Sequence, residues 1–570
     1  MNIKSFWINQ SKNIYWENKP KVAFKKKKNN FSWFPDGKLN IYQNCINENI
    51  KKGYGNKKAI YTVSNQGVFK SYTYSQLQNL VNNFSIILKK KLNKFNNNKK
   101  IMIHSSASIE SAVSMLACSK LGIHFSVIFE ELEEEAILKR INIFKPALLL
   151  TRKKNFLKSN KKIFKKVVHI ILPKISLNKK IIEESCLEEK SFKSDRDFFT
   201  LFTSGSTGTP KGITHSYGGY FLYTKYTCEH QFGMNKNSIV LTASDAGWIN
   251  GHTYALFGPL SFGATTILLE KPAILLELKV LEKLVSLKTS IFYIPVTLIR
   301  LMKTFYKKLK LSKKYINCIG SMGEPLAPSV GKWFAQNFKN RNSSIVNTYF
   351  QTETGGIICS PKYNQKISDC PHGSVGNPFS FINFNKITKF KKTEVKILNP
   401  WPGCMKNIVN GKKEFKKYWD KNGSFRLFDL ATKKNNNIYI HGRTDDVINI
   451  RGHRIGSEEI ESIVLKNNFI SECSAVSVPN QLEGYQLYLF IVSNKEDDDK
   501  INKSIVNNFG YFALPKKIIY VSELPKTRSG KILRRLMRNM IIYNNTNKIG
   551  DITTIINKNI IYEILKKLNG

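Results

Sequence analysis

Residue types that could do chemistry crowd into a few short segments of this chain, and the densest is LFTSGSTGTPKG, residues 201–212. It holds three glycines, five Ser/Thr hydroxyls, one proline and one lysine, one residue after the apolar pair Phe198-Phe199. Glycines let backbone N–H groups approach an anion, hydroxyls add donors and Lys211 adds a point charge, so the segment suits a loop wrapped around a polyphosphate. It is not a Walker A loop, which needs G-x-x-x-x-G-K-[ST]; here Pro210-Lys211-Gly212 breaks that pattern. A flexible Ser/Gly linker is the plain alternative, but linkers seldom follow a strand-like run and carry Pro-Lys-Gly.

Four further segments join the loop. GSMGEPLAP (320–328) and TYFQTETGG (348–356) each follow an apolar run, which puts them at strand C-terminal ends, where open α/β sheets bind ligands. Glu353, flanked by Thr352 and Thr354, suits a Mg²⁺ and phosphate role, since hard cations take oxygen ligands. Its structural alternative is a helix first-turn acid. Asp429 ends the strand-like FRLFD, a position suited to holding ribose hydroxyls, although a surface turn acid fits that segment equally well. LPKTRSGKILRR sets Lys531 after a Ser-Gly turn and at the start of a helix, held out as a movable cation. A lone exposed lysine is ordinarily just solvated surface.

The elements that must position these residues follow from hydrophobic patterning. Helical stretches such as SASIESAVSMLACSKLG alternate with short apolar runs (KIMIHS, FSVIF, ALLLT, VVHIIL, DFFTLF, SIVLTA, ATTILLE, SIFYIP). That alternation predicts an α/β chain whose large N-terminal domain has parallel-rich sheets flanked by helices. The texture changes after Gly442, predicting a small, mobile α+β C-terminal domain. The expected division is an N-terminal arm over 1–60 belonging to the large domain, the rest of that domain over 61–444, and the small domain over 445–570. The lysine-dense stretch from about 152 to 192 reads as an irregular surface connection.

Composition limits the partners. Of 570 residues, 90 are Lys or Arg and 41 Asp or Glu, a formal net charge of +49. Such a charge can mark a nucleic-acid or anionic-membrane binder. Here lysine is scattered with Asn and Ile along the whole chain, as in KLNKFNNNKK, whereas a dedicated binding face concentrates Arg with interleaved aromatics. Compositional drift is the better reading, with no nucleic acid as primary partner. The nine cysteines show no C-x-x-C pair, which fits free thiols in a reducing compartment. The start MNIKSFWINQ lacks a signal-peptide core, and IFYIPVTLIRLM is too short to span a bilayer. A cytoplasmic protein with no membrane partner is expected.

Taken together, the segments resemble the acyl-adenylate-forming (AMP-binding) superfamily, and within it the acetyl-CoA synthetase branch. The resemblance runs in family order through FWINQ, WFPDGKLNIYQNCIN, TSGSTGTPKGITHSYGGY, DAGWINGHTYALFGPLSFGATT, GSMGEPLAP, TYFQTETGG, WPGCMK, GRTDDVINIRGHRIGSEEIES, LPKTRSGKILRR and IGDITTI. It implies that a carboxylate attacks the ATP α-phosphate, giving acyl-AMP and pyrophosphate, and that CoA thiolate then displaces AMP. ATP, Mg²⁺ and CoA are the implied cofactor and co-substrates, and acetate the acid. Propionate or another short-chain acid, or a different acyl acceptor, are the alternatives.

Residue by residue, the resemblance gives Thr203, Ser204, Gly205, Ser206, Thr207, Gly208 and Lys211 to the phosphate loop. Gly323, Glu324 and Pro325 match the adenine-side wall, with Thr348, Tyr349, Gln351 and Thr352 around the nucleotide. Glu353 matches the Mg²⁺-linked acid, and Asp429 the ribose binder, with Arg443 close by and Arg454 contributing from the small domain. Lys531 matches the lysine bridging carboxylate and α-phosphate oxygens, Asp445 the hinge, and Gly452 the backbone beside pantetheine. The acyl pocket departs from the family wording. Trp248 is kept, but Ile249 and Asn250 replace Val and Thr, Met322 replaces Val, and Phe350 replaces the closing tryptophan. On the CoA side the turn reads FEELEEE, with Glu130 and Glu131 where relatives have glycines. Two carboxylates there are compatible with a polyanionic substrate if they point to solvent.

Overall fold

The computed structural model describes residues 2–569 except 28–29, 96–98, 133, 153–167, 173–189, 204–209, 307–308, 366–369, 445–446, 451–452, 481–483, 528–529, 531, 547–548, 550–551 and 553–554; backbone alone is described for 169–171, 447–450, 453–456, 458–459, 484 and 512. The chain divides into two compact units. The first takes 1–323, 330–383 and 397–426; the second takes 324–329, 384–396 and 427–570.

Two seven-stranded sheets form the first unit. In one, Ile101–His104 lies between Phe125–Ile128 and Leu148–Thr151, all parallel, and Asp197–Thr203 extends the sheet in parallel beside Phe125–Ile128. Lys211–Ser216 then folds back antiparallel on Asp197–Thr203, with Thr203 opposite Lys211. In the other sheet Ser344–Asn347, Cys318–Met322, Ile291–Pro295, Ile239–Thr242, Thr265–Leu269 and Lys58–Val63 run parallel in that order, and Phe69–Thr73 closes the edge antiparallel. The central strands are short apolar runs buried on both faces, as parallel sheets covered by helices require, whereas the edge strand Phe69–Thr73 is only partly buried. The α/β expectation is met, and the sheets place the segments after Thr203, Met322 and Asn347 at strand C-terminal ends. One expectation needs amending: within the lysine-dense stretch, Val168–Ile171 is a regular strand pairing with Leu148–Thr151 at the sheet edge. Its VVHIIL run supplies the β-branched residues a strand prefers.

Local signals set the helix starts. Thr73 caps Tyr74–Leu92 and Gln76 returns the bond, a capping box that satisfies two otherwise orphaned donors. Ser108 and Ser111 do the same for Ile109–Leu121, which ends on the left-handed Gly122. The N-terminal segment is packed rather than loose. Asn2 caps Ile3–Ser11, and Trp7, fully buried, sits against Trp33, Tyr226 and Phe381 at ring separations of 6.1, 5.4 and 4.9 Å.

The second unit is α+β, with two buried cores. Ile470–Asn480 and Gly484–Ser493 pair antiparallel, Lys517–Tyr520 adds a parallel strand, and the helices Ser457–Val464, Asp498–Phe509, Arg534–Tyr543 and Asn559–Asn569 accompany them. The helix expected after the Ser-Gly turn is Arg534–Tyr543, and its Arg534 grips Glu461 with two nitrogens at 2.9 and 2.7 Å. No helix among the described residues is long and apolar enough to cross a membrane.

Candidate adenylation site

Thr203 and Lys211 face one another where two antiparallel strands meet. Ser204, Gly205, Ser206, Thr207 and Gly208 lie outside the described residues. Lys211 is mostly buried. Its Nζ stands 3.3 Å from Glu414 Oε2 and 5.8 Å from the centre of the Tyr418 ring. Lys417 also binds Glu414, and these two lysines, Lys417 first, hold its carboxyl below the usual carboxylate range.

Glu353 is positioned by backbone rather than by its own length. Gln351 caps a single 3₁₀ turn, Thr352–Thr354, which ends on Gly355 at φ 73°. A Cβ at Gly355 would come within 2.1 Å of the Gly403 carbonyl oxygen, so glycine serves both the left-handed turn and the close approach. Three consecutive carbonyls of the turn are then each bound. Thr352 O accepts from His215 Nε2 at 2.8 Å, Glu353 O from the Met405 amide at 2.8 Å, and Thr354 O from Trp401 Nε1 at 3.0 Å. Burial lowers the His215 pKa to about 4, so at neutral pH the ring is uncharged and Nε2 carries the proton it donates. On the carboxylate, Oε1 accepts the Tyr418 hydroxyl at 2.7 Å. Oε2 meets no hydrogen-bonding partner among the described residues.

That arrangement fits a magnesium site of the substrate-sharing kind. No group of three or more His, Cys, Asp or Glu that could cage a metal occurs among the described residues. A single carboxylate oxygen left available suits Mg²⁺, which keeps several waters and takes its other ligands from phosphates.

The residues read as nucleotide-side and acyl-side lie on or just beyond strands of the second sheet. Gly323 follows Cys318–Met322 with φ 92° and open space where a side chain would stand. Thr348 is tied to Ser321 O twice, by its amide at 3.1 Å and its hydroxyl at 2.8 Å, and the Tyr293 hydroxyl lies 2.6 Å from the same Oγ1. Tyr349 pairs with Cys359 in an isolated bridge. Gln351 and Thr352 follow in the turn. Phe350 is half-buried and edge-on to Tyr254 at 6.5 Å. Trp248 tilts against Phe129 at 5.0 Å, and the buried Asn250 donates its amide to the Met322 sulfur while its Oδ1 has no partner among the described residues. Ile249, 3 % exposed, is held inside.

In the second unit, Asp429 lies opposite Arg443 in the hairpin of Phe425–Lys434 with Asn437–Arg443. The register slips between Asp429 and Ala431, and Phe428 takes φ 56°. Bulges of this sort re-aim side chains. Asp429 is buried, with Oδ1 3.8 Å from Arg443 Nη1, and the guanidinium lies 5.7 Å from the Phe428 ring. Glu324 and Pro325 belong to this unit too. Arg454 stands in His453–Gly456 opposite Asn449. Lys531, Asp445 and Gly452 lie outside the described residues.

The altered CoA-side turn has a definite structure at Glu130. Its carboxylate does not point to solvent: Oε2 accepts the Ser106 amide at 2.9 Å and lies 3.9 Å from Arg152 Nε. Arg152 also meets Glu270 at 2.7 Å and Glu110 at 3.8 Å. Burial pushes the Glu130 pKa up, but the Ser106 bonds and Arg152 outweigh it, and the net shift is downward. A carboxyl with a folded pKa below its unfolded value stabilises the protein above the unfolded value, about 4.3, and loses that contribution as pH falls through the folded one. Glu130→Gln is therefore expected to cost about 1.5–3 kcal/mol at pH 7, the scale of a hydrogen bond to a charged group. In thermal unfolding the difference from wild type should shrink as pH is lowered below about 4.

Two contributors were missed in the sequence, Tyr418 and Glu414. Their four-residue spacing in EFKKY puts them on one helical face, which is a readable signal. Nothing local announced that this face meets Lys211 and Glu353.

Comparison with known proteins bears on the whole chain. The family described as AMP-binding enzyme matches residues 48–411, and the AMP-binding enzyme C-terminal domain matches 459–531. The family described as acetyl-coenzyme A synthetase N-terminus matches residues 1–45. Acetyl-coenzyme A synthetase of Helicobacter pylori (strain G27) is 31% identical over 589 residues, covering 94% of this chain and 88% of the relative. Acetyl-coenzyme A synthetase 1 of Candida glabrata is 29% identical, with 94% of this chain and 83% of the relative covered. Among solved structures, acetoacetyl-CoA synthetase from Streptomyces lividans superposes with a TM-score of 0.83 at 17% identity, covering 100% of this chain and 92% of the other, a likeness of fold.

Proposed function

The chain belongs to the AMP-binding enzyme family and is an AMP-forming ligase that makes a thioester; from that premise we propose that the acid it activates is acetate. The observation that carries this reading is the match of residues 1–45 to the acetyl-coenzyme A synthetase N-terminus, ahead of the two AMP-binding matches in the same chain. In the proposed first step an acetate oxygen attacks the ATP α-phosphorus and the bond to pyrophosphate breaks. In the second, CoA thiolate attacks the acetyl carbonyl and AMP leaves.

Two anions must meet in the first step, so positioning and cationic stabilisation are the devices required. Lys211 and the glycine-hydroxyl loop hold the polyphosphate, Asp429 and Arg443 the ribose, and Lys531 bridges the reacting oxygens. Glu353 would hold Mg²⁺, which supplies charge neutralisation on the phosphates when bound. Trp248, Ile249, Asn250, Met322 and Phe350 form the acyl pocket. We place the enzyme in the cytoplasm, working on small molecules. A second reading, a different acyl acceptor, is favoured by the inward Glu130, which puts a half-buried carboxylate in the turn read as the CoA side.

Carboxylate-dependent ATP–pyrophosphate exchange with acetate, propionate and butyrate, followed by AMP release with and without CoA, tests both. Acetate is expected to give the fastest exchange, and CoA to stimulate AMP release. No exchange with any of the three acids would sink the short-chain reading, and exchange without CoA-stimulated release would favour the other acceptor.

A further inference from the structure

Resting on that reading, we propose that Tyr418 is a positioning residue for adenylation, fixing which oxygen of Glu353 is offered to the cation and phosphates. A glutamate at the tip of a rigid turn still has free rotation about its last carbon–carbon bond. The backbone at 352–354 is bound at three consecutive carbonyls, so the turn itself cannot drift. What remains to be fixed is the carboxylate plane. The Tyr418 hydroxyl does this through a 2.7 Å bond to Oε1, leaving Oε2 as the ligand. Outer hydrogen-bond partners of this kind orient metal-binding carboxylates and set how well they bind.

Tyr418 is itself immobile. The residue is 5 % exposed, its ring stacks on Phe425 at 5.6 Å and 28°, and its carbonyl accepts the Arg426 amide at 2.7 Å. Lys211 meets the same segment. Its ammonium lies 5.8 Å from the same ring and 3.3 Å from Glu414, four residues before Tyr418. One short segment, 414–418, therefore touches both the phosphate-loop lysine and the carboxylate read as the metal acid. It sets them in register with each other, although they come from different sheets and different stretches of sequence. Tyr418 touches neither substrate nor metal in this scheme; it acts through Glu353.

Mn²⁺ titrated into the full-length protein with a non-hydrolysable ATP analogue, followed by electron paramagnetic resonance, tests the assignment. Tyr418→Phe removes the hydroxyl and keeps the ring. It is expected to weaken Mn²⁺ binding about 10-fold, while analogue binding in chelator and the thermal midpoint stay at wild-type values. In a Glu353→Gln background the same change should have no further effect on Mn²⁺, since the group it orients is gone. Wild-type Mn²⁺ affinity in Tyr418→Phe, or fully additive losses in the double variant, overturns the role of Tyr418 and leaves the adenylation reading standing. Failure of the wild-type protein to bind Mn²⁺ with the analogue overturns both.

Discussion

Lys531→Ala is expected to lower acetate-dependent ATP–pyrophosphate exchange by at least about 10²–10³-fold, the cost of losing one well-placed group that stabilises transition-state charge. On the proposed mechanism this lysine works in one half-reaction only. During adenylation the acetate oxygen and the α-phosphate both carry negative charge, and a cation between them relieves repulsion where the new bond forms. During thioester formation the nucleophile is a thiolate attacking a carbonyl already activated as a mixed anhydride, and the leaving group is AMP. Nothing in that step needs a cation at the former acetate oxygen. Supplied acetyl-AMP and CoA should therefore give acetyl-CoA within a few-fold of wild type. Equal loss in both halves would contradict the assignment, and so would unimpaired exchange. Acylation of the lysine should mimic the substitution, because it removes the same charge.

The fold was legible because its signals are local and repeated. Short apolar runs alternating with helical stretches can be read one at a time, and every strand that flanks the site carries such a run. Much of the site was legible for a related reason. LFTSGSTGTPKG and TYFQTETGG are contiguous, and each follows a strand that delivers it to one sheet end. What escaped was carried by long-range contacts. That Met405 and Trp401 of WPGCMK bind the carbonyls of Glu353 and Thr354 cannot be inferred from spacing, since those residues lie roughly fifty positions away. Tyr418 is further still, and its neighbours KKEFKKYW look like a solvated lysine face. Glu130 shows the opposite difficulty. The added carboxylates of FEELEEE are plain in the sequence, yet their consequence depends on Arg152, which meets Glu110 from a helix first turn and Glu130 and Glu270 from beyond two strand ends.

Acyl preference should turn on Phe350. Phe350→Trp is expected to lower kcat/KM for propionate and butyrate relative to acetate by about 10–200-fold, the range that a pocket difference of a methylene or so can produce. Phe350 is half-buried, and its ring meets Tyr254 edge-on. Tyr254 cannot give way. It is 1 % exposed, its hydroxyl donates to Thr227 at 3.1 Å and accepts the Ile357 amide at 2.8 Å, and its ring is flanked by Phe232 and Tyr293 at 5.5 Å each. The extra volume of an indole must then extend away from Tyr254, into the space a longer acyl chain would use. In the proposed pocket Met322 and Ile249 would take back part of what the smaller Phe350 releases, and the buried Asn250, bonded to Met322, would make that wall partly polar. Acetate reaches least far and should lose no more than a few-fold. Competition between acetate and propionate in the exchange assay gives the ratio directly. A ratio unchanged within two-fold would mean that Phe350 does not form the pocket wall.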